Sequence, residues 1–228
     1  MPFLFFDSTM ILLIPAIVLA LWAQHRVKST FAKYSKVPAA SGLTGYAVAQ
    51  RLLSDSGIGD VEIEEAGGTL SDHYDPRTKR LRLSASIAQS KSVAALSVAA
   101  HEVGHAIQHH KAYTAFQVRQ SIFPVANIGS SLAFPLFFVG FLFTAPKLMD
   151  LGIILFAAAV FFQLVTLPVE FNASARALVL LRERGLLHQS EVGQAQKVLN
   201  AAALTYVAAT AVALLHLVRL VLLRGARD

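Results

Sequence analysis

The 228-residue chain is 55% hydrophobic and only 15% charged, with a positive mean hydropathy, which is too apolar for an ordinary water-soluble domain of this length. It has no cysteine, which excludes disulfides, thiolate nucleophiles and every cysteine-containing metal site, so any metal must be held by His and carboxylates. The net charge of +6 does not point to nucleic acid, because Lys and Arg lie mostly beside apolar runs, where membrane lipid and insertion topology account for them.

In chain order, residues 3–23 form the first apolar run and carry one charge, Asp7; the length suits a membrane-crossing helix. The run lacks the basic start and small-residue cleavage site of a secretory signal and reads as a retained anchor. Arg26, Lys28, Lys33 and Lys36 follow at once, so the positive-inside bias places residue 25 onward in the cytoplasm. Residues 25–120 then have the mixed pattern of a small folded domain. A helix over Thr44 to Leu53 stops at Ser54-Asp55-Ser56-Gly57. The alternating stretches Val61 to Glu65 and Arg80 to Leu83 read as the two strands of a hairpin, with Gly67-Gly68 and Asp75-Pro76 as breakers. Ser90 or Ser92 can cap a helix running to about residue 110. Three further spans follow at 122–145, 151–169 and 199–223. The segment 170–198 returns to the cytoplasm, with Arg176, Arg182, Arg184 and Lys197 as expected there and Arg224 and Arg227 pulling the other way. The predicted fold is mainly α and integral to the membrane: about four transmembrane helices and a small cytoplasmic α+β domain made of a short hairpin and one long helix.

That long helix contains Ala100-His101-Glu102-Val103-Gly104-His105-Ala106, a His-Glu-x-x-His pattern whose histidines share one helix face. Neutral imidazoles favour zinc, and Glu102, about 100° around the helix from His101, stands where a general base would act on a water. A surface helix with two histidines is the bland alternative. The small residues Ala99, Ala100, Gly104 and Ala106 argue for close packing instead, and burying such a polar trio without a metal is expensive. A catalytic zinc ion needs a third protein ligand. His109 would have to share the same face and lacks the spacing that supplies a third histidine. Glu170, a carboxylate at the end of an apolar helix, is the better candidate. Two spans separate it from His105, so both can face one compartment.

The chain resembles the YugP-type membrane zinc metallopeptidases of bacteria over nearly its whole length. The likeness rests on Lys33-Tyr34-Ser35 with Ser41-Gly42-Leu43-Thr44-Gly45, on Asp72-His73-Tyr74-Asp75-Pro76, on Ala99 to Gln108, on Leu167 to Ser174 and on Asn200-Ala201-Ala202-Ala203-Leu204-Thr205-Tyr206. The resemblance implies a gluzincin-like peptidase of the bacterial cell membrane with one zinc ion, a peptide substrate and an active site on the cytoplasmic side. It also implies that a glutamate on a later helix completes the zinc site, which carries onto Glu170. In distant relatives an aspartate follows that glutamate by four residues; this chain has Ser174. The gluzincin likeness further implies that Leu81 to Ser84 is an edge against which substrate docks by strand addition. His73, Tyr74, Asn172 and Arg176 are alternative stabilisers of the oxyanion. An intramembrane protease of the site-2 type is disfavoured: Lys91 on one side and Gln108 to Lys111 on the other leave the motif helix too short to span, and a Leu-Asp-Gly motif is missing. A membrane scaffold or chaperone with a non-catalytic zinc is the rival from another class; the glutamate beside the two histidines favours catalysis. Oligomeric state has no signature in the sequence.

Overall fold

The computed structural model describes residues 8–68 and 71–226; the first residues of the anticipated 3–23 span, with Asp7, and Arg227 lie outside them. The protein is mainly helical. A 3-10 turn, Ser8–Leu13, leads into α1 (Ile14–Tyr34), followed by α2 (Gly45–Asp55), β1 (Glu62–Ala66), β2 (His73–Asp75), β3 (Arg80–Ser84), α3 (Ala85–Ala88), α4 (Val93–His110), α5 (Thr114–Leu142), α6 (Pro146–Glu183) and α7 (Gln189–Gly225). Among the described residues, four helices are long and apolar enough to cross a membrane: Thr9–Tyr34, α5, α6 and α7. The helices outrun the apolar stretches read from sequence. In particular α6 continues unbroken past residue 169, so Glu170 stands within a helix that holds it rigidly.

The chain divides into two compact units. The first comprises residues 1–24, 118–167 and 205–228. Its core is Ala133, Phe137, Met149, Phe156, Val160 and Leu220, while Ile14, Val18, Phe123, Ile128, Ile154 and Val221 are exposed, the pattern of helices solvated by lipid rather than water. α5 and α6 approach closely at Gly152, where a Cβ would lie 2.7 Å from the Ala133 carbonyl oxygen. At one end of this unit Arg219 donates to Thr9 (3.1 Å), and Arg224 donates to Asp150 (2.8 Å) beside the α5–α6 connector. The C-terminal arginine that opposed the charge bias is thus neutralised by an aspartate.

The second unit comprises residues 25–117 and 168–204. α2 packs on α4, and Leu52, Leu81, Leu83, Ile87, Leu96, Val103, Leu181 and Leu199 form its core. Thr44 caps α2 and Ser92 caps α4 through side-chain oxygens that accept from Ala47 N and Ala95 N, both 3.2 Å. Glu191 accepts from Ala40 N and His188 N, tying the segment before α2 to the start of α7.

The sheet has the order β1-β3-β2. This corrects the expected hairpin: the stretches around 61–65 and 80–83 pair in parallel, Ile63 opposite Leu81, and the antiparallel partner of β3 is β2, with Tyr74 opposite Leu81. The reason lies in the turn at Asp75-Pro76. Asp75 accepts from Arg77 N and Thr78 Oγ1, both at 2.9 Å, and Lys79 takes φ 52°, so the chain reverses tightly and β2 occupies the slot beside β3. β1 takes the other flank, and β2 with its turn lies between the two parallel strands in chain order, as the crossover of a parallel pair requires. The expected docking edge at Leu81 to Ser84 is likewise corrected: β3 is the central strand, paired with β1 along its whole length and with β2 over its residues 80–82, and β2 is the edge next to α4.

Candidate metal centre

α4 presents His101 and His105 on one face, their rings edge-to-face with centroids 4.7 Å apart. α6 meets them there. Gly104 makes the meeting possible, since a Cβ at this position would stand 2.7 Å from the Ala173 carbonyl oxygen. The approach brings Glu170 Oε2 to 3.2 Å from His101 Nε2 and 3.5 Å from His105 Nε2. The Glu170 side chain is 2% exposed, and the two histidine side chains 13% and 9%. Such a carboxylate is costly to bury unless a cation or strong donors compensate it.

The donor set fits zinc. Bonds of about 2.0–2.2 Å from a tetrahedral ion place neighbouring ligand atoms roughly 3.3–3.5 Å apart. The two nitrogen-to-oxygen distances match that edge length, and the three ligand atoms all lie within 4.8 Å of one another. Each Nδ1 is engaged elsewhere. His101 Nδ1 is 3.1 Å from Ser174 Oγ, and His105 Nδ1 is 2.9 Å from Gln108 Oε1. Ser174, four residues beyond Glu170 on α6, thus reaches a histidine of the group with its hydroxyl.

Glu102, nearly buried, turns toward β2, where Tyr74 N–H donates to its Oε2 (3.0 Å). Burial pushes its carboxyl up to about 7, overcoming the opposing pull of His101 and the Tyr74 amide. Tyr74 is fastened to α4 a second time: its hydroxyl is hydrogen-bonded to His109 Nδ1 (2.8 Å). Burial raises the phenol to about 12 and lowers the His109 imidazole, favouring the neutral form of each. His109 thus serves Tyr74 and is not one of the three converging residues. Phe116, 2% exposed, packs against the rings of both His105 and His109.

The other oxyanion candidates have partners of their own. His73 is exposed and bonded to Ser71 O and Arg82, whereas Arg176 donates to Asn172 Oδ1, which also accepts from Gln108. Gln108 itself escaped the sequence reading, because a glutamine in the last turn of a helix looks like a polar end. Its signal was spacing: three residues beyond His105 and seven beyond His101, it shares their face.

The family described as "Putative neutral zinc metallopeptidase" matches residues 9–225. The chain belongs to this family. It is 52% identical over 212 residues to the "Putative membrane protease YugP" of Bacillus subtilis (strain 168), covering 93% of this chain and 94% of that protein. No solved structure matches the chain. The zinc named by the family agrees with the His101, His105 and Glu170 group, and the membrane named for the relative agrees with the four apolar helices.

Proposed function

We propose that this neutral zinc metallopeptidase family member is a membrane-bound zinc-dependent endopeptidase. His101, His105 and Glu170 hold one zinc ion, and Glu102 is the general base. The observation that carries the reading is the convergence of three ligand atoms, two of them on buried residues, beside a carboxylate held by a backbone N–H. When bound, zinc lowers the pKa of a coordinated water to about 7 and polarises the scissile carbonyl. Glu102 takes the water's proton and later delivers it to the leaving amine. The Tyr74 amide fixes Oε2, so the remaining oxygen carries the proton.

The chain acts as a single membrane peptidase domain over 1–228, a multi-pass protein of the bacterial cell membrane. Its spans are 3–23, 122–145, 151–169 and 199–223, with the gluzincin-like parts, 25–120 and 170–198, on the cytoplasmic side. Arg26, Lys28, Lys33 and Lys36 support that orientation. The contacts Arg219 to Thr9 and Arg224 to Asp150, which gather both ends of the first unit near the α5–α6 connector, support four crossings.

The test is Glu102→Gln in the detergent-purified full chain. It abolishes proteolysis, self-cleavage included, while zinc remains stoichiometric. A variant as active as wild type would leave only a non-catalytic zinc scaffold or chaperone.

A further inference from the structure

We propose that Arg176 acts through Asn172 and Gln108 as a positioning residue that sets the proton on His105 Nδ1 and so keeps His105 Nε2 free for the metal. The inference rests on the metal-centre reading and goes beyond it, because it gives a task to three residues that touch no metal. It starts from Arg176, whose guanidinium can only donate. Arg176 Nε donates to Asn172 Oδ1 at 2.7 Å, and this fixes which end of the Asn172 amide is oxygen. The same oxygen lies 3.0 Å from Gln108 Nε2. The Val169 carbonyl oxygen, which can only accept, lies 2.8 Å from that nitrogen. Two acceptors therefore surround one end of the Gln108 amide, and only its NH2 group can face both.

Gln108 is 0% exposed, so no solvent relieves a wrong orientation; turning the amide over would set its oxygen against two other oxygens. Its Oε1 is thus directed at His105 Nδ1, 2.9 Å away, and that nitrogen must carry the hydrogen. The lone pair is then on Nε2, the atom that faces Glu170. His101 differs. Its Nδ1 meets Ser174 Oγ, a hydroxyl that rotates and can donate or accept, so that contact imposes no tautomer. The partner at Nδ1 thus fixes the tautomer of one ligand of the pair and not of the other.

The experiment measures zinc affinity by chelator competition on the detergent-purified full chain, with thermal unfolding of the zinc-free proteins as a check on folding. Gln108→Leu weakens zinc by about 10–100-fold, as loss of an outer-shell partner does. Arg176→Met weakens it less, by about threefold or more, and the double variant is no weaker than Gln108→Leu alone. Losses that multiply in the double variant would overturn the relay. A second pair decides the matter should Gln108→Leu fail to fold: Asn172→Leu lowers affinity as Arg176→Met does, whereas Asn172→Asp, which keeps oxygens for both donors, restores it. An Asn172→Asp protein as weak as Asn172→Leu would refute the relay. A wild type that takes up no zinc would instead sink the metal-centre reading, and the relay with it.

Discussion

Gly104 is the position at which a single methyl group tests whether two helices build the metal centre together. A Cβ there would meet the Ala173 carbonyl oxygen at 2.7 Å and the Ala173 Cα and C at 3.2 Å, short of the 3.4 Å at which ordinary contact begins. α6 must therefore retreat by about 0.7 Å at Ala173, three residues from Glu170 and on the same turn. Zinc ligands tolerate displacements of only about 0.2 Å, so Gly104→Ala should weaken zinc tenfold or more, about 1.4 kcal/mol. Stability carries two opposed terms. Alanine gains ~1 kcal/mol over glycine in a helix, and overpacking a tight interface costs ~1–3 kcal/mol, so the zinc-free protein is expected to be unchanged or less stable. Gly193→Ala is the control: it lies in α7 with nothing within 4 Å of the added atom, and it should gain stability with zinc binding unaltered. Chelator competition and thermal unfolding read both quantities. A Gly104→Ala protein that behaves like Gly193→Ala would show that α4 and α6 do not meet as described.

Glu170→Ala should lose most of the zinc bound by purified wild type, measured by elemental analysis; unchanged metal content would transfer the ligand role to another residue. Ser174→Ala removes the hydroxyl at His101 Nδ1 and should weaken zinc about tenfold, whereas full affinity would mean that His101 needs no partner there. The His109 imidazole is held below its usual range by burial and by Lys79 and His110, against Asp60. A depressed folded value means that its contribution to stability is present above the unfolded pKa of 6.5 and is lost as pH falls through the folded one. His109→Gln, which keeps an acceptor for the Tyr74 hydroxyl, should therefore flatten the acid limb of the stability profile below pH 6.5. Superimposable profiles would assign that limb to other groups.

The residues that periodicity governs could be read in advance. The helix period alone puts His101 and His105 on one face, an apolar helix makes Glu170 conspicuous, and Ser90 or Ser92 marks the start of the motif helix, which Ser92 caps. The order of the strands could not be read, because alternation says which face of a strand is buried and nothing about its neighbour; the short turn after Asp75 decided that β2, not β1, lies antiparallel to β3. Gln108 and Ser174 were obscure for a similar reason. A buried amide and a small hydroxyl gain their roles from the acceptors and donors around them, and those come from residues 61–73 positions distant along the chain.

By itself, the order of amino acids determined the apolar helices, the absence of thiolate chemistry and the paired imidazoles with their adjacent carboxylate, since each follows from composition or from a repeat of a few residues. Only the tertiary structure decided which oxygen faces both Nε2 atoms, which backbone N–H holds Glu102 and which amide holds His105. Those are matters of ångström-scale proximity between distant segments, and here proximity depends on one glycine that lets two helices touch.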